Sequence, residues 1–535
     1  GSRQPPRPSV VAATPKGLAA PRVVAAAPKS RGAAAAAFRE REARPTTAPR
    51  PPQKVVPPGR RAVAKAFQRV FLNPPEGMSQ ADRKAMMKMR SELELVVEDD
   101  KGCSFPPLLT FDELEGVVPD YVAEALASNG IEAPMPIQSQ ALPLVLGGHD
   151  LIGIAKTGSG KTLAYLLPAI VHVEAQEPLK REATTPIALV LAPVRELAMQ
   201  IAAEAQRLIR GSRAGSHSPK GMAAVSLYGG GPNKALQIAS LKKGCHIVVA
   251  TPGRLVELID ERAISLERVT YFVLDEADRM LECGFEDALG SVSAGIRPDR
   301  QMLFFSTTWS PVVQDLAMSM RSSEGSPVVV THGQRDPGSG PASSSDVVQE
   351  VVVFDDGTWE ERDAKKQELL YAHLLEVLRY EDHKVLVFVG RKDLADSLCN
   401  RIRNEGFRTE SMHGRRTQER RLDIIESFKQ GEIKLLVTTD VMARGLDIPD
   451  LSHVILYDMG EIEDYVHRIG RSAPGPYGSG HALTLFEYDR NWPHIPGKLI
   501  EVLEDAEQEV PEDLRQIAYE VANGLREAKW SARCP

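Results

Sequence analysis

Short apolar runs alternate with amphipathic helical patterns from about residue 105 to residue 330 of this 535-residue chain. Apolar runs of five or six residues bounded by polar or glycine-containing turns are typical of buried strands, and the 3.6-residue periods between them predict helices. The predicted strands are 151–155, 187–192, 223–228, 246–250, 270–274 and 302–306. This alternation predicts βαβ units, in which helices cover both faces of a parallel sheet.

The alternation resumes after residues 331–346, whose Gly, Pro and Ser content predicts a flexible linker. Further strands are expected from residue 347, and at 384–389, 409–413, 434–438, 453–457 and 482–486. We therefore expect an α/β protein with two tandem parallel-sheet domains, at 104–330 and 347–490.

Residues 491–535 predict a short helical extension. Two short helices are expected after Asn491, the later one beginning near Pro511. One face of this later helix carries an apolar stripe that we expect to pack onto the second domain, formed by Leu514, Ile517, Val521 and Leu525.

The first 103 residues differ from the rest in composition. Positions 1–75 hold 15 Lys or Arg and 2 acidic residues, a net charge of +13 in a chain whose total is −7. A segment rich in Arg, Ala and Pro and poor in acids resembles an organelle transit region. The first residue is Gly1, which fits either a processed N-terminus or a cloning remnant. The alternative is a basic arm that lies along RNA phosphates. Later in this extension, Ser79 is expected to cap a helix that runs towards Val96.

Cysteine content and hydropathy exclude several classes of protein. The 5 Cys are scattered without a CxxC pair, which argues against a disulfide scaffold or a cysteine-based zinc module. No stretch of 18 or more apolar residues occurs, so we expect no membrane span.

A glycine-rich loop at 155–162 joins the first predicted strand to a predicted helix. Backbone N–H groups at such a turn converge on phosphate oxygens, and the loop supplies candidate ligands for them: Thr157, Gly158, Ser159 and Gly160. Lys161 is expected to neutralise phosphate charge, and the Thr162 hydroxyl to bind Mg²⁺. Ala155 stands where the general pattern has glycine.

An acidic turn, 275–278, follows the apolar run at 270–274. Asp275 is expected to hold the metal through water, and Glu276 to orient or deprotonate the attacking water. The apolar run before the turn argues against a merely solvated acidic loop. Since the second domain has no glycine-rich loop of its own and carries arginines instead, one nucleoside triphosphate with Mg²⁺ is expected in the cleft between the two domains.

These motifs and several others follow the order and spacing of the DEAD-box ATP-dependent RNA helicases, which the chain resembles from about Phe105 to Phe486. The resemblance implies two RecA-like domains, ATP and Mg²⁺ as cofactors, and RNA as partner. It assigns recognition of adenine to Phe111 and Gln138, although Gln138 taken alone would be expected to cap a helix. It also assigns a ribose contact to Asp447.

The resemblance further assigns RNA contacts and coupling residues. The RNA contacts depend on backbone N–H groups and basic side chains that grip phosphates without reading sequence. They are Arg195, Gly229, Gly230, Thr251, Gly253 and Arg254 in the first domain, and Gln418, Arg421 and Thr438 in the second. Coupling of hydrolysis to domain movement is assigned to Ser306, Thr308, His467 and Arg468.

The chain departs from the family near the residues that contact the γ-phosphate. Arg471 matches the first of two arginines that reach this phosphate from the second domain, but Pro474 occupies the position of the other. Thr307 and Val194 replace the usual Ala and Thr. An arginine finger contributes roughly 10³ to 10⁵ in turnover in other nucleotidases, so hydrolysis is expected to be slowed unless a neighbour such as Arg468 compensates.

Two functions are consistent with this sequence. One is ATP-dependent RNA binding with local duplex remodelling, in organellar ribosome or RNP assembly. The other is a hydrolysis-impaired family member that acts as a structural RNA-binding assembly factor. Both predict rRNA and ribosomal precursor or RNP proteins as partners and a mitochondrial location, with plastid and nucleolus as alternatives.

Overall fold

The computed structural model describes residues 66–98, 105–156, 158–179, 184–214, 221–230, 234–322, 326–333, 347–439, 451–472 and 480–528. The basic residues 1–65 lie outside this range, so the transit region and the RNA-binding arm both stay predictions. None of the described helices is long and apolar enough to cross a bilayer.

The first lobe alternates strands with helices along the chain. Its strands are β1 (Leu95–Glu98), β2 (Leu151–Ile154), β3 (Ala188–Leu191), β4 (Ala224–Leu227), β5 (Ile247–Ala250), β6 (Tyr271–Leu274), β7 (Gln301–Ser306) and β8 (Val328–His332). Its helices are α1 (Gln80–Glu92), α2 (Asp120–Ser128), α3 (Pro136–Leu146), α4 (Lys161–Glu174), α5 (Arg195–Leu208), α6 (Lys234–Lys242), α7 (Pro252–Asp260), α8 (Ala277–Glu282), α9 (Glu286–Gly295) and α10 (Pro311–Met320).

These strands form one sheet in the order β1-β8-β2-β7-β6-β3-β5-β4. All described neighbours pair in parallel except β1, which runs antiparallel to β8. Buried apolar side chains cover both faces of the sheet and form two separate core clusters, as expected for a parallel sheet between two helical layers.

The second lobe repeats the plan on a smaller scale. Its strands are β9 (Val347–Val353), β10 (Lys384–Phe388), β11 (Thr409–Met412), β12 (Leu435–Thr438), β13 (Leu451–Leu456) and β14 (Gly480–Phe486). Its helices are α11 (Trp359–Val377), α12 (Lys392–Asn404), α13 (Gln418–Lys429), α14 (Ile462–Ile469), α15 (Ile495–Asp505) and α16 (Glu512–Ala522). The described strands pair in parallel in the order β11-β12-β10-β13-β14-β9.

The predicted α/β fold with two parallel-sheet domains is confirmed, but the structure differs at two boundaries. The helix capped by Ser79 ends at Glu92, and the chain then turns through Glu94, at φ 51°, into β1. The β-branched pair Val96 and Val97 favours a strand there. Residues 95–98 therefore join the first sheet, although the sequence placed them in the extension. Strand β8 continues to His332, into the segment that the sequence assigned to the linker.

The C-terminal extension packs on the second lobe through only part of its predicted apolar stripe. Leu514, Ile517 and Val521 are buried in the core of that lobe. Leu525 is 69% exposed, so the prediction for this residue was wrong. The reason is that α16 ends at Ala522 and the chain turns at Gly524, where φ is +68°, which takes Leu525 off the helix face.

Leu514→Ala should lower the free energy of unfolding of the second lobe by about 2–5 kcal/mol, because it leaves a cavity in a fully packed core. The matched control is Leu525→Ala, for which we expect a change within about 0.5 kcal/mol. Urea titration followed by circular dichroism would measure both. Equal midpoints for the two variants would show that α16 does not stabilise the lobe.

Candidate nucleotide and RNA site

The glycine-rich loop ends in the tight turn that a phosphate cradle needs. Gly158 and Gly160 have φ of +79° and +83°, and the Ser159 hydroxyl donates to the Lys156 carbonyl at 2.7 Å. Helix α4 begins directly after this turn, so its first N–H groups face the space above the loop. Lys161 is buried and its ammonium donates to the Ala155 carbonyl; burial lowers its pKa, and nearby carboxylates oppose that shift.

Gln138 links the loop to helix α3. Its Oε1 accepts from the Met135 N–H at 2.9 Å, which caps the helix, and its Nε2 donates to the Gly160 carbonyl at 2.9 Å. A Cβ at Gly160 would lie 2.3 Å from that Nε2, so only glycine permits the approach. The structure therefore shows the capping role of Gln138, and its adenine contact stays a prediction. Phe111 is half-buried and packs against the core of the first lobe.

Both predicted Mg²⁺ ligands contact one tyrosine side chain. Tyr165, fully buried, donates to Asp275 Oδ2 at 2.8 Å and is also hydrogen-bonded to the Thr162 side chain. A hydroxyl and a carboxylate are oxygen donors of the kind that Mg²⁺ prefers. The residues present therefore fit a Mg²⁺ ion held together with the phosphates of a nucleotide.

The acidic turn is buried. Asp275 and Glu276 are 3% and 5% exposed, and burial raises the pKa of both carboxyls. Glu276 adopts a left-handed conformation with φ of 51°, which is uncommon for a residue with a side chain. A buried carboxylate with a raised pKa is suited to accept a proton from water at neutral pH.

The second lobe contributes cations to this acidic turn. Arg471 Nη2 lies 4.0 Å from Glu276 Oε1, and both side chains are almost fully buried. The same guanidinium is close enough to Lys161 to lower the pKa of its ammonium. The lysine of the first lobe and the arginine of the second therefore meet at one place, as a shared nucleotide site requires.

Asp278 is the centre of a second contact between the lobes. Its Oδ2 accepts from the backbone N–H groups of Thr307 and Thr308 and from the Thr307 hydroxyl at 2.6 Å. His467 Nε2 lies 3.0 Å from that hydroxyl. Since the hydroxyl hydrogen goes to the carboxylate, His467 must donate. Burial acts to raise the pKa of Asp278, but His467 and the hydrogen bonds of Thr307 hold it below its usual value.

Thr307 thus joins Asp278 to His467, a coupling role that the sequence assigned to its neighbours Ser306 and Thr308. The Thr308 hydroxyl also donates to Asp278 Oδ2, at 3.3 Å. In contrast, the hydroxyl of the fully buried Ser306 makes no hydrogen bond within the described residues. Arg468 lies inside the second lobe, where it donates to the Asp458 carbonyl at 2.7 Å and stacks on Phe388.

Four residues predicted to bind RNA lie together where the lobes meet. Arg195 donates to the Gly230 carbonyl at 3.4 Å and to Gln418 Oε1 at 3.2 Å. Arg421 donates to the same Gln418 oxygen and, at 2.6 Å, to Glu196. Arg421 is only 2% exposed, so the structure places it in a buried ion pair between the lobes and not on an open phosphate-binding surface.

Among the remaining predicted RNA residues, only Arg254 and Thr438 have side-chain hydrogen bonds that the structure describes. Thr251 precedes α7 at its N-terminal cap, next to Gly253. Arg254 is buried and donates to Gln237 at 3.0 Å and to Glu257 at 2.9 Å. Thr438 is fully buried at the end of β12 and donates to the Met412 carbonyl. Gly229 lies open beside Gly230 in the turn after β4.

Nearly all these residues follow the carboxyl ends of parallel strands, the edge where open α/β sheets bind ligands. Three predicted residues lie outside the described range: Thr157, Asp447 and Pro474. Their roles stay predictions.

Known proteins share this arrangement. Residues 135–316 match the DEAD/DEAH box helicase family, and residues 365–473 match the helicase conserved C-terminal domain. The ATP-dependent RNA helicase DBP2 of Candida albicans is 40% identical over 444 residues, which cover 83% of this chain and 73% of that protein. The chain belongs to the DEAD-box RNA helicase family. The dbp2 helicase of Schizosaccharomyces pombe is also 40% identical, over 86% of this chain and 78% of the relative.

A solved helicase has a similar arrangement of both lobes. The structure of Mss116p bound to single-stranded RNA and AMP-PNP matches with a TM-score of 0.63 at 27% identity, and the match covers 79% of this chain and 83% of that one. The match extends over both sheets, which supports the RecA-like description of this DEAD-box protein.

Sequence reasoning missed two residues of the site. Tyr165 lies four positions after Lys161 in an apolar helix, where it resembles an ordinary core residue. Glu196 is part of the site only because it pairs with Arg421 of the other lobe. The spacing of Tyr165 from the lysine, one helical turn, was the available signal.

Thr307→Val removes the hydroxyl that joins Asp278 to His467 while it keeps the side-chain shape. Loss of one hydrogen bond of about 1 kcal/mol should raise the RNA concentration for half-maximal ATPase activity by roughly fivefold. Thr307→Ser should restore the parent value, and Thr307→Ala, the residue usual in the family, should behave like valine. An unchanged RNA dependence in Thr307→Val would show that this contact does not support closure of the lobes.

Proposed function

We propose that this protein binds ATP and Mg²⁺ between its lobes, binds single-stranded RNA across both of them, and hydrolyses ATP to drive local remodelling of RNA duplexes. The observation that carries the proposal is Arg471 of the second lobe, 4.0 Å from Glu276 of the first and near Lys161. A guanidinium at this place is positioned to stabilise charge on a transferring phosphoryl group only when the lobes are together.

The residues divide the chemistry between the lobes. Lys161 and the N–H groups of α4 hold phosphates, Glu276 positions water and accepts its proton, and Arg471 stabilises developing charge. A Mg²⁺ ion bound by Thr162 and Asp275 would neutralise phosphate charge and orient the reacting group. The Thr307 hydroxyl joins Asp278 of the first lobe to His467 of the second, so this chain of hydrogen bonds is complete only when the lobes are closed.

The RNA that suits this site is a single strand recognised by its backbone. Phosphate contacts from Arg195 and from glycine turns carry no base identity. Stacking in a duplex contributes about 1.4 kcal/mol per base-pair step, so distortion of one strand disrupts only short helices. Local remodelling, and not long-range unwinding, therefore fits the geometry.

We further propose that the protein acts in an organelle, in mitochondrial ribosome or RNP assembly, with rRNA and ribosomal precursor or RNP proteins as partners. The support is the composition of residues 1–75, with a net charge of +13 and 2 acidic residues. Residues 1–103 fused to a fluorescent protein should enter mitochondria. Accumulation in plastids or the nucleolus would favour the alternatives, and an even distribution would remove the support for targeting.

Glu276→Gln should reduce RNA-stimulated phosphate release by roughly 10²- to 10⁴-fold, because the amide cannot accept the proton from water. Binding of RNA in the presence of an ATP analogue should persist. The matched control is Glu282→Gln, at the exposed end of helix α8, the helix that Glu276 caps; this variant should keep the parent rate. Equal rates in parent and Glu276→Gln would exclude the proposed role of Glu276.

The same assay decides whether Pro474 slows the reaction. If the missing second arginine limits turnover, Pro474→Arg should raise the rate, by up to roughly 10³-fold. No RNA-stimulated release in the parent at saturating RNA would favour the structural RNA-binding assembly factor. An unchanged rate in Pro474→Arg would show that Arg471 alone suffices or that another step is limiting.

A further inference from the structure

Four histidines of the second lobe lie together, away from the nucleotide site. His453 on β13 and His481 on β14 are partners in the strand register, His373 lies on α11, and His383 lies just before β10. The ring centroids of the first three are 5.3 to 5.6 Å apart. His453 and His481 stand at the amino-terminal ends of their strands, whereas the nucleotide and RNA residues follow the carboxyl ends.

The ring nitrogens of His373, His453 and His481 are close enough for one ion. One nitrogen from each ring lies within 4.8 Å of the others. A tetrahedral Zn²⁺ with Zn–N bonds of about 2.0–2.1 Å requires nitrogens roughly 3.4 Å apart. The nitrogens must therefore approach one another by up to about 1.4 Å, which requires rotation of the half-buried rings.

The hydrogen bonds of His453 fix which of its nitrogens is available. Its Nδ1 lies 3.0 Å from the Ser452 hydroxyl, and that hydroxyl donates its hydrogen to the Lys384 carbonyl at 3.0 Å. Since serine has one hydroxyl hydrogen, Nδ1 of His453 must be the donor to it. The lone pair then resides on Nε2, the nitrogen left to bind an ion.

Each of the other two rings has a buried nitrogen that a neutral imidazole can leave unprotonated. His373 Nε2 and His481 Nδ1 are buried and make no hydrogen bond within the described residues. His481 Nε2 lies 3.6 Å from a carboxylate oxygen of Glu350. A carboxylate beside the outer nitrogen of a metal-binding imidazole orients the ring and raises its basicity.

The rings are neutral near pH 7, the form that binds metals. Burial lowers the pKa of His453 to about 3 and that of His373 to about 4, and it also lowers the pKa of His481. The neighbouring imidazoles add to the pKa shift of His453 and His373, while Glu376 opposes the shift at His373 and Glu350 opposes it at His481. Protons therefore do not compete for these nitrogens at neutral pH.

We propose that His373, His453 and His481 bind one divalent transition-metal ion of the Zn²⁺ class, and that this ion ties helix α11 to the amino-terminal ends of β13 and β14. Imidazole nitrogens suit Zn²⁺, Ni²⁺ and Cu²⁺, and hard ions such as Mg²⁺ prefer oxygen. The ring of His383 lies 5.1 Å from that of His453 and borders this group of three. The site is structural, since no residue of the nucleotide site belongs to it.

The test is a titration of the full chain, freed of metal by a chelator and without nucleotide, with Co²⁺ alone as a visible probe. We expect one equivalent to bind with the absorption of a nitrogen-ligated ion. His373→Gln should abolish this signal, and Glu350→Gln should weaken binding by roughly 10- to 100-fold. The matched control is His494→Gln, a histidine of the same lobe beside Glu461, which should bind like the parent.

A second measurement separates a lost site from a misfolded variant. Zn²⁺ should raise the melting temperature of the parent and of His494→Gln, but not that of His373→Gln, while all three have the same circular dichroism without metal. His373 is the ligand to replace because it lies on a helix surface and not in a strand. If His373→Gln does not fold, the Co²⁺ titration of Glu350→Gln and the melting curves of the parent with and without Zn²⁺ still show whether the ion binds at this site.

Three outcomes would overturn the proposal. The first is that the parent binds no Co²⁺ in the micromolar range. The second is that His373→Gln binds as well as the parent. The third is that the signal disappears in Asp275→Asn and persists in His373→Gln, which would place the ion at the nucleotide site.

Discussion

Three carboxylates within four consecutive positions are buried in one turn, and their charge is the constraint on which the rest of the site depends. Asp275, Glu276 and Asp278 are removed from water, which costs several kcal/mol for each ion unless partners compensate. The first lobe supplies Lys161 and the N–H groups of residues 307 and 308. Arg471 and His467 come from the second lobe. The turn therefore has its complete set of partners only when the lobes are together, and this requirement links the chemistry of the site to the movement of the lobes.

A second buried ion pair also has both of its partners only when the lobes are together. Arg421 and Glu196 are both almost fully buried, and removal of either partner would leave a buried charge without compensation. The sequence assigned Arg421 to RNA, and likewise Arg195, the residue directly before Glu196. The pair therefore stabilises the closed arrangement of the lobes, since only that arrangement lets each charge find its partner.

Local signals allowed much of the fold and part of the site to be predicted. The strands, the glycine-rich turn and the acidic turn each depend on residues close in sequence, and the structure has them where their patterns predict. Contacts between residues far apart in sequence could not be predicted from such local patterns. Nothing within the segment around Arg421 indicates that it is buried against Glu196, 225 positions earlier. Similarly, the segment around Thr307 does not reveal that its hydroxyl meets His467. Strand β1 was missed because four residues with one buried side chain give too short a pattern to separate from a helix end.

Strand β1 also has a consequence for the solubility of the molecule. Without it, β8 would present the row of backbone N–H and C=O groups from Val329 to His332 to solvent, a template for pairing with a second chain. The antiparallel four-residue strand occupies that row and ends in Glu98, so the outermost edge is short and carries a charge. A fragment beginning after Glu98 would keep the motifs of both lobes and yet lose its protection against edge-to-edge aggregation.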